Sequence, residues 1–402
     1  MATTTTPYLL EGVVQHYAWG GFEYIPNLLN QTNRQQEPCA ELWLGAHPRG
    51  MAQVHLPGEA AQPLDALINS APLDILGTAT AQRFANQIPY LLKILDVDKM
   101  LSIQAHPNKT EAEQGFAAEN AAGIPLNAFN RNFKDDNHKP EMMTALTDFW
   151  LLHGFATRDK VLFSLQQTPE LAGLLAFYTP DSIEPLYTQV MTMPQDEIDR
   201  LLQPLAARLL PLLSTGQLQK DQQDYWAARA LRDFRLLDGG LDRGVISIYL
   251  MNVVNVQPGQ GIFQDAGILH AYLEGVNVEL MANSDNVFRG GLTDKYVDAA
   301  TLIQHLSFEP VIPHIFAGEA ESDTLTVFKT PAPDFELSLI RLSDAKIHEQ
   351  HSTKGPEILL LIQGEALVNQ SLLVKKGQSL FFPAGSSYVL TGNAEIYKAG
   401  MP

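Results

Sequence analysis

The chain has 402 residues, with 45 acidic and 27 basic side chains and a formal net charge of −18. A surface this acidic repels nucleic acid and anionic lipid over long range, so neither is predicted as a partner. It does not exclude a phosphorylated small molecule, which would need a local basic pocket. The single cysteine, Cys39, excludes an intrachain disulfide and a cysteine-based zinc site, as is typical of a cytoplasmic protein. The sequence contains neither a secretory signal nor an apolar stretch of about 20 residues, so no membrane span is predicted.

The first part of the chain is predicted to be β structure. Strand-like runs that end in turn signals span residues 13–17, 40–45, 90–97 and 100–106. Asp98 and Lys99 are predicted to form a turn, so the last two strands are expected to pair as a hairpin of a β-sandwich or barrel. A helix is predicted to begin near Thr110.

The middle of the chain is predicted to be helical, because apolar residues recur at helical spacing from about residue 157 to 234. Pro204 and Pro211 interrupt the first of these stripes, so we expect that helix to be kinked or split. Asp221 is predicted to cap a later helix. The stripes are interpreted as packing surfaces rather than as a cofactor site.

Strand signals resume in the last third. Residues 244–250 and 252–256 are predicted as strands, and a polar, glycine-punctuated stretch follows from 263 to 295. After Pro310 short strands recur at the spacing of a barrel. They carry Gly-Glu, Lys-Gly-Gln and Phe-Pro-Ala-Gly in that order between residues 364 and 385, which resembles the double-stranded β-helix of cupins.

A candidate metal site begins with Gln104 and His106, which lie two positions apart on a predicted strand and so share one face. Ser102 adds a third polar side chain there, and such groups are costly inside a barrel unless they bind something. Glu141 and His270 could complete a set of two imidazoles and two oxygen ligands. This set suits Zn²⁺ with a further position for water or substrate, and it would also accept Fe²⁺, Mn²⁺ or Co²⁺. The alternative ligands that spacing does not exclude are His16, His47, His138 and His153.

The stretch Asn137–Glu141 reads Asn-His-Lys-Pro-Glu and combines an imidazole, an ammonium and a carboxylate. Pro140 fixes its own φ and pushes Lys139 toward extended geometry, so the neighbouring side chains are held in a defined relation. The pattern suits a metal-binding carboxylate beside a charged catalytic group. An ordinary polar turn is the alternative.

Arg289 is followed by two glycines, which lack the side chains that would keep a ligand at a distance. Arg289 and Lys295 together offer the cationic charge that a phosphate or an enediolate requires. A surface loop with ordinary ion pairs is the alternative.

These motifs together resemble type I phosphomannose isomerases. The likeness is carried by Gln-Ala-His-Pro at 104–107, by Asn-His-Lys-Pro-Glu at 137–141, and by Ser-Asp-Asn-Val-Phe-Arg-Gly-Gly-Leu-Thr at 284–293 with Lys295. Tyr-Ala-Trp-Gly at 17–20 and Glu-Leu-Trp-Leu-Gly-Ala-His-Pro at 41–48 look like the family's N-terminal region.

The resemblance implies a mainly β fold with an α-helical insertion. A cupin-type double-stranded β-helix (jelly-roll) core would be followed by a C-terminal cupin-like β domain. Residues 1–155 and 241–310 would form the two parts of the catalytic cupin domain. Residues 156–240 would form the helical domain, and residues 311–402 the C-terminal β domain.

The resemblance also implies residue roles. One zinc ion per chain would be bound by Gln104, His106, Glu141 and His270, and Arg289 would be the active-site arginine. The residues implied to line a sugar-phosphate pocket are Trp19, Lys99, Ser102, Lys139, Tyr272, Glu279, Asp285 and Lys295.

The implied activity is the interconversion of mannose 6-phosphate and fructose 6-phosphate, which would supply mannose metabolism and GDP-mannose synthesis. It requires a proton to move between C1 and C2 through a cis-enediol. We expect Arg289 to stabilise the enediolate, and the proton-moving group is left open among Lys139, Glu279 and His138. A monomer is expected.

Two other functions are considered. A cupin dioxygenase would hold Fe²⁺ on two histidines and one carboxylate, but a glutamine ligand and the cations Arg289 and Lys295 argue against it. A non-catalytic sugar-binding protein with two cupin domains would not need the charged Lys-Pro-Glu next to a metal.

Overall fold

The computed structural model describes residues 5–55, 60–236 and 238–402. Antiparallel β-sheet dominates, and most helical residues lie between positions 158 and 248. The strands span Tyr8–Glu11, Val13–Gln15, Glu41–Leu44, Ala46–His47, Gly50–Met51, Gln53–His55, Gln62–Pro63, Tyr90–Val97, Ile103–Ala105, Glu141–Ala145, Phe149–Phe155, Met251–Val256, Gly261–Gln264, His270–Ala282, Phe288–Gly291, Glu319–Ala320, Leu325–Phe328, Glu336–Leu342, His348–Gln350, Glu357–Val368, Leu372–Lys375, Ser379–Phe382 and Tyr388–Gly400. The α-helices span Tyr24–Leu28, Leu64–Ser70, Pro72–Leu76, Thr78–Arg83, Lys109–Ala121, Arg158–Gln167, Glu184–Thr192, Gln195–Ser214, Gln223–Asp233, Gly244–Ile248 and Ala299–His305, and a 3-10 helix spans Pro169–Phe177. None of the helices in the described ranges is both long enough and apolar enough to cross a membrane.

The first sheet has ten strands and is built around the long strand His270–Ala282. Residues 275–282 of this strand pair with Tyr90–Val97, and its first residues pair with Phe149–Phe155. Glu141–Ala145 lies on the other side of the strand's C-terminal half. All eight residues of Tyr90–Val97 are buried, which is why this predicted strand reads as a nearly continuous apolar run.

The second sheet has eleven strands and joins the two ends of the chain. Tyr8–Glu11 lies between Ser379–Phe382 and Gln53–His55. A hydrophobic core joins this sheet to the first one, with Tyr90 and Val278 packed in the same cluster as Phe381. The C-terminal sheet therefore covers one face of the sheet that holds the candidate site. The predicted fold class, mainly β with a helical insertion, is confirmed.

The predicted hairpin of residues 90–97 and 100–106 is wrong. Tyr90–Val97 pairs with Glu41–Leu44 and with residues 275–282, whereas Gln104 pairs with His270 and Arg289. The backbone N–H groups of Asp98 and Lys99 both donate to the carbonyl of Trp19, at 3.1 and 3.0 Å. The chain is tied to the N-terminal segment at this point, so it crosses to the start of the long strand instead of turning back along its own strand.

The helical region differs from expectation in three places. Gln195–Ser214 is one uninterrupted helix although Pro204 and Pro211 lie inside it, both at exposed positions. Residues 244–250, predicted as a strand, form the helix Gly244–Ile248. All its residues are buried, and a run that is apolar on every side carries no periodicity to distinguish the two structures. The helix after Asp221 has Gln222 at its N-cap and no side-chain cap.

Candidate active site

Three predicted metal ligands come together from separate strands. His106 follows Ile103–Ala105, Glu141 begins its strand, and His270 begins the long strand. The Nε2 atom of His106 lies 3.3 Å from Oε1 of Glu141, and Nε2 of His270 lies 3.4 Å from Oε2 of the same carboxylate. All three side chains are buried, and their ligand atoms lie within 4.8 Å of one another. The antiparallel sheet thus collects groups that are far apart in sequence.

Both imidazoles are held by backbone carbonyls. Nδ1 of His106 donates to the carbonyl of Asn286 at 2.7 Å, and Nδ1 of His270 donates to the carbonyl of Ile268 at 2.8 Å. A carbonyl only accepts, so each Nδ1 carries the proton and each Nε2 turns a lone pair toward Glu141. This is the tautomer in which metal-binding histidines are commonly fixed.

The cluster fits a metal ion. Nε2 of His106 and Oε2 of Glu141 are buried without a hydrogen-bond partner, which is costly unless something else satisfies them. The imidazole nitrogens lie 3.3 and 3.4 Å from the two carboxylate oxygens, which is close enough for one ion with bonds of about 2.0–2.2 Å to reach all three side chains. Nε2 of Gln104 lies 3.5 Å from Nε2 of His270, and rotation of the amide by half a turn exchanges that nitrogen for an oxygen ligand.

The charges around Glu141 favour the protonation states that a metal needs. Burial raises the pKa of the Glu141 carboxyl, but the ammonium of Lys139, which contacts Oε1, outweighs this effect, so the pKa lies well below its usual range. Burial, assisted by the charge of Lys139, lowers the pKa of His106 to about 4. An ionised carboxylate and a neutral imidazole are therefore present near neutral pH.

A second buried network lies beside this cluster and contains residues that the sequence argument missed. The ammonium of Lys93 lies 3.4 Å from Glu41 and 3.3 Å from Glu279, and 5.1 Å from the centre of the Trp43 ring. The hydroxyl of Tyr272 donates to Glu279 at 2.8 Å. Burial lowers the pKa of Lys93, but the two carboxylates raise it by more, and its pKa is raised overall. Burial and the charge of Glu141 raise the pKa of Glu279.

The signal for Lys93 was present in the sequence. It is one lysine inside Leu-Leu-Lys-Ile-Leu, a run whose other residues are apolar. A lysine is almost never fully buried without a partner. A charged residue inside an otherwise apolar strand was thus evidence for a buried ion network.

Arg289 lies on Phe288–Gly291, directly opposite Gln104. Burial lowers the pKa of Arg289, and burial together with the charge of Arg289 lowers the pKa of Lys295. Within the part of the chain that the structure describes, neither side chain forms an ion pair, so their charge is available to an anion. Asp285 contacts the Arg49 guanidinium and lies 3.4 Å from Nε2 of His47. Burial raises the pKa of Asp285, but the effects of His47 and Arg49 are larger and lower this pKa to about 2.

The remaining predicted residues are not all in this cluster. Trp19 packs in the same hydrophobic cluster as Tyr272, and Ser102 is half-buried just before Ile103–Ala105. Lys99 is exposed beyond the end of its strand, and Lys93 is the lysine that contacts Glu279. Nε2 of His138 contacts Asp334 at 2.7 Å instead of the metal cluster.

The other alternative ligands are also accounted for. His16 is exposed and bonded through Nδ1 to the carbonyl of Pro38, and His47 contacts Asp285. Nδ1 of His153 is bonded to Oε1 of Gln264 at 2.7 Å. His16, His47 and His153 therefore contact groups other than the Glu141 carboxylate and are not members of the metal cluster.

The fold and the site define a class: an antiparallel β protein with a buried single-metal centre beside cations suited to an anionic substrate. The family model "Phosphomannose isomerase type I, catalytic domain" matches residues 8–158. The mannose-6-phosphate isomerase of Salmonella typhimurium is 37% identical over 387 residues, which cover 94% of each chain, and the enzyme of Escherichia coli is 37% identical over 388 residues at the same coverage. The chain belongs to the type I phosphomannose isomerase family, as its motifs predicted.

Solved structures agree with this assignment. The Salmonella typhimurium enzyme bound to its substrate fructose 6-phosphate and zinc superposes with a TM-score of 0.85 at 35% identity, over 99% of this chain and 100% of that one. A zinc-bound mannose 6-phosphate isomerase gives a TM-score of 0.87 at 34% identity over the same shares of the two chains. The cupin-type fold that was expected from the resemblance is thereby confirmed.

Proposed function

We propose that this chain is a zinc-dependent isomerase that interconverts mannose 6-phosphate and fructose 6-phosphate. The observation that carries the proposal is the buried His106–Glu141–His270 cluster. In it, Nε2 of His106 and Oε2 of Glu141 have no hydrogen-bond partner. Membership of the type I family supports the substrate pair, which would link fructose 6-phosphate to mannose metabolism and GDP-mannose supply.

One zinc ion per chain would be held by Gln104, His106, Glu141 and His270. When bound, zinc can polarise a carbonyl or hold the oxygens of a sugar in orientation. The site's own residues supply the rest of the chemistry.

The proton transfer between C1 and C2 is assigned to Lys139 or Glu279. Both side chains are buried, Lys139 contacts the Glu141 carboxylate, and the charge of that carboxylate acts on Glu279, whereas the ring of His138 is engaged by Asp334. Arg289 would stabilise the negative charge of the enediolate. Lys93 would hold the Glu279 carboxylate in place while Tyr272 donates to its second oxygen.

The phosphate and the sugar would lie among the cations and polar groups at the open side of the site. The residues proposed to line this pocket are Trp19, Ser102, Tyr272, Asp285 and Lys295. We infer the division predicted above, with 1–155 and 241–310 as the catalytic domain, 156–240 as the helical domain and 311–402 as the C-terminal domain. The strands Tyr8–Glu11, Gln53–His55 and Gln62–Pro63 complete the sheet of the C-terminal domain. The protein is proposed to act as a monomer in the cytoplasm.

A coupled assay of the purified, zinc-loaded protein tests the proposal directly. Formation of fructose 6-phosphate from mannose 6-phosphate is expected, under strict anaerobiosis as well as in air. Dependence on oxygen would favour the dioxygenase, and sugar binding without turnover would favour the non-catalytic alternative. Replacing Lys139 and Glu279 in turn, and following solvent deuterium exchange at C2, identifies the base: a variant that still exchanges has not lost it.

A further inference from the structure

His138 faces away from the metal cluster, although the residues that follow it face toward it. In an extended segment successive side chains point to opposite sides. Lys139 and Glu141 meet on the cluster side, and His138 on the other side reaches the C-terminal domain. Its Nε2 lies 2.7 Å from Oδ2 of Asp334.

Asp334 is a firm point of attachment. Its side chain is 2% exposed, and the neighbouring Ala332 and Phe335 are buried in the hydrophobic core that joins the two sheets. That core also contains Met142, the residue after Glu141. A carboxylate held in this way offers a fixed acceptor to the histidine.

The same stretch is held on its other side by the loop before Arg289. Nδ2 of Asn286 and the hydroxyl of Ser284 both donate to the carbonyl of Asn137, at 2.8 and 3.1 Å. The N–H of Ala282 donates to the carbonyl of Pro140 at 3.1 Å. These bonds tie the backbone of residues 137–140 to the sheet that holds the metal cluster, and the His138–Asp334 contact ties it to the C-terminal part of the chain on the opposite side.

We propose that Asp334 is a positioning residue of the C-terminal domain, which acts through His138 to hold Lys139 and Glu141 in place at the metal cluster. The inference rests on the proposed isomerase function and assigns a part in it to a domain that contributes no side chain to the cluster. Its physical basis is the sensitivity of proton transfer to geometry, where a displacement of about 1 Å can cost about 10²-fold in rate.

The test compares Asp334→Ala and His138→Ala with conservative variants. Each alanine variant is expected to lower kcat about 10- to 100-fold while KM changes less than about threefold. Zinc release to a chelator, followed with a colorimetric indicator, is expected to be about tenfold faster, as for other residues that orient a metal ligand. His138→Gln retains a donor and Asp334→Asn an acceptor, so both are expected to keep kcat and zinc release within about threefold of the unmodified protein.

Tyr90→Phe is the matched control. It removes a buried hydrogen bond across the same domain boundary, from the Tyr90 hydroxyl to the carbonyl of Pro356 at 2.7 Å. We expect it to lower Tm without changing kcat or zinc release. If Tyr90→Phe reproduces the effects of Asp334→Ala, the role of Asp334 is merely structural and the inference fails.

Two further outcomes overturn the inference. One is unchanged kcat and zinc release in folded Asp334→Ala or, if that variant does not fold, in His138→Ala. The other is a His138→Gln variant as inactive as His138→Ala, since the imidazole would then be needed for its acid–base chemistry. Zinc release is measured without turnover, so a protein lacking isomerase activity would refute the proposed function while this readout still tests the contact.

Discussion

At the scale of single residues, the site depends on buried charges that satisfy one another. Lys93 lies between Glu41 and Glu279, all three being less than a tenth exposed. Removing one member of such a set lowers the free energy of unfolding by more than the whole set contributes to it, because the remaining charges are left buried and unpaired.

Lys93→Met is therefore expected to lower the free energy of unfolding by about 3–5 kcal/mol. It is also expected to reduce kcat/KM at least about 10²-fold, because Glu279 loses the cation that orients it. Urea unfolding and the coupled assay measure the two effects. In the double variant Lys93→Met/Glu41→Gln stability should recover in part and activity should not. Recovery of activity in the double variant would show that Lys93 serves the fold alone.

Arg289 is expected to act on the reacting charge, since it lies opposite Gln104 without an ion-pair partner in the described chain. Arg289→Ala should lower kcat about 10²–10³-fold, the usual cost of removing a donor to a developing oxyanion. Zinc content, measured by atomic absorption, should stay at one per chain. Arg341→Ala removes an exposed ion pair with Glu395 and is the matched control, expected to leave both quantities unchanged. Loss of zinc from Arg289→Ala would contradict the assigned role.

At the scale of elements, local signals succeed where a side chain bonds its own backbone. Asn108 accepts from the N–H of Glu111 at 3.0 Å while the Glu111 side chain accepts from the N–H of Asn108 at 2.8 Å. This capping box starts Lys109–Ala121 close to the predicted position at Thr110. Local signals fail for Gln195–Ser214, where two prolines predicted a break. The helix stays intact because its apolar stripe is buried against the rest of the protein.

Pro204→Ala is expected to stabilise the protein. An interior proline is about 3 kcal/mol less favourable than alanine in a helix, and its rigidity in the unfolded chain returns up to about 1 kcal/mol, which leaves a gain of about 2 kcal/mol. Thermal unfolding measures it as a rise in Tm. Pro194→Ala, at the N-cap of the same helix, replaces a proline that interrupts no helical bond and should not raise Tm. A fall in Tm for Pro204→Ala would mean that the proline ring itself packs favourably.

At the scale of the whole molecule, the eleven-stranded C-terminal sheet packs against the ten-stranded sheet that holds the candidate site. The C-terminal sheet also contains a buried polar side chain, that of His348. His348 is 4% exposed, its Nδ1 lies 3.2 Å from the hydroxyl of Thr324, and its Nε2 has no partner among the described residues. Burial, with a smaller effect of the Lys398 charge, lowers the pKa of His348 to about 4.

This histidine should make stability depend on pH. Between pH 6.5 and about 4 the unfolded chain binds a proton at His348 and the folded chain does not, so stability falls as the pH is lowered through this window. The slope due to this one group is at most about 1.4 kcal/mol per pH unit. His348→Gln is expected to flatten the pH dependence of the unfolding free energy by up to that amount, measured by urea unfolding between pH 4 and 7. His55→Gln, at an exposed position, is the control, and an unchanged slope in His348→Gln would refute the prediction.

Sequence alone determined a large part of this protein. The apolar run at Tyr90–Val97, the helical stripes and the β-rich C-terminus gave the fold class, because burial patterns and turn residues are local properties of a chain. The motifs around His106, Glu141 and Arg289 gave the family, because a metal centre and an anion site restrict residue type at fixed positions. The four proposed metal ligands, including His270 outside these motifs, were all named from the sequence.

Only the tertiary structure decided which side chains meet. Lys93, Glu41 and Trp43 lie in strands whose local pattern indicates only core, and the contacts of Lys93 with Glu41 and Glu279 depend on the register of three strands. The partner of His138 is almost 200 positions away, in the C-terminal part of the chain, so no local spacing could have assigned it. Tertiary packing likewise decided that residues 244–248 form the helix Gly244–Ile248 and that Tyr8–Glu11 joins the C-terminal sheet. The strand pairing could not be predicted locally, because many pairings of the same strands satisfy the same local pattern.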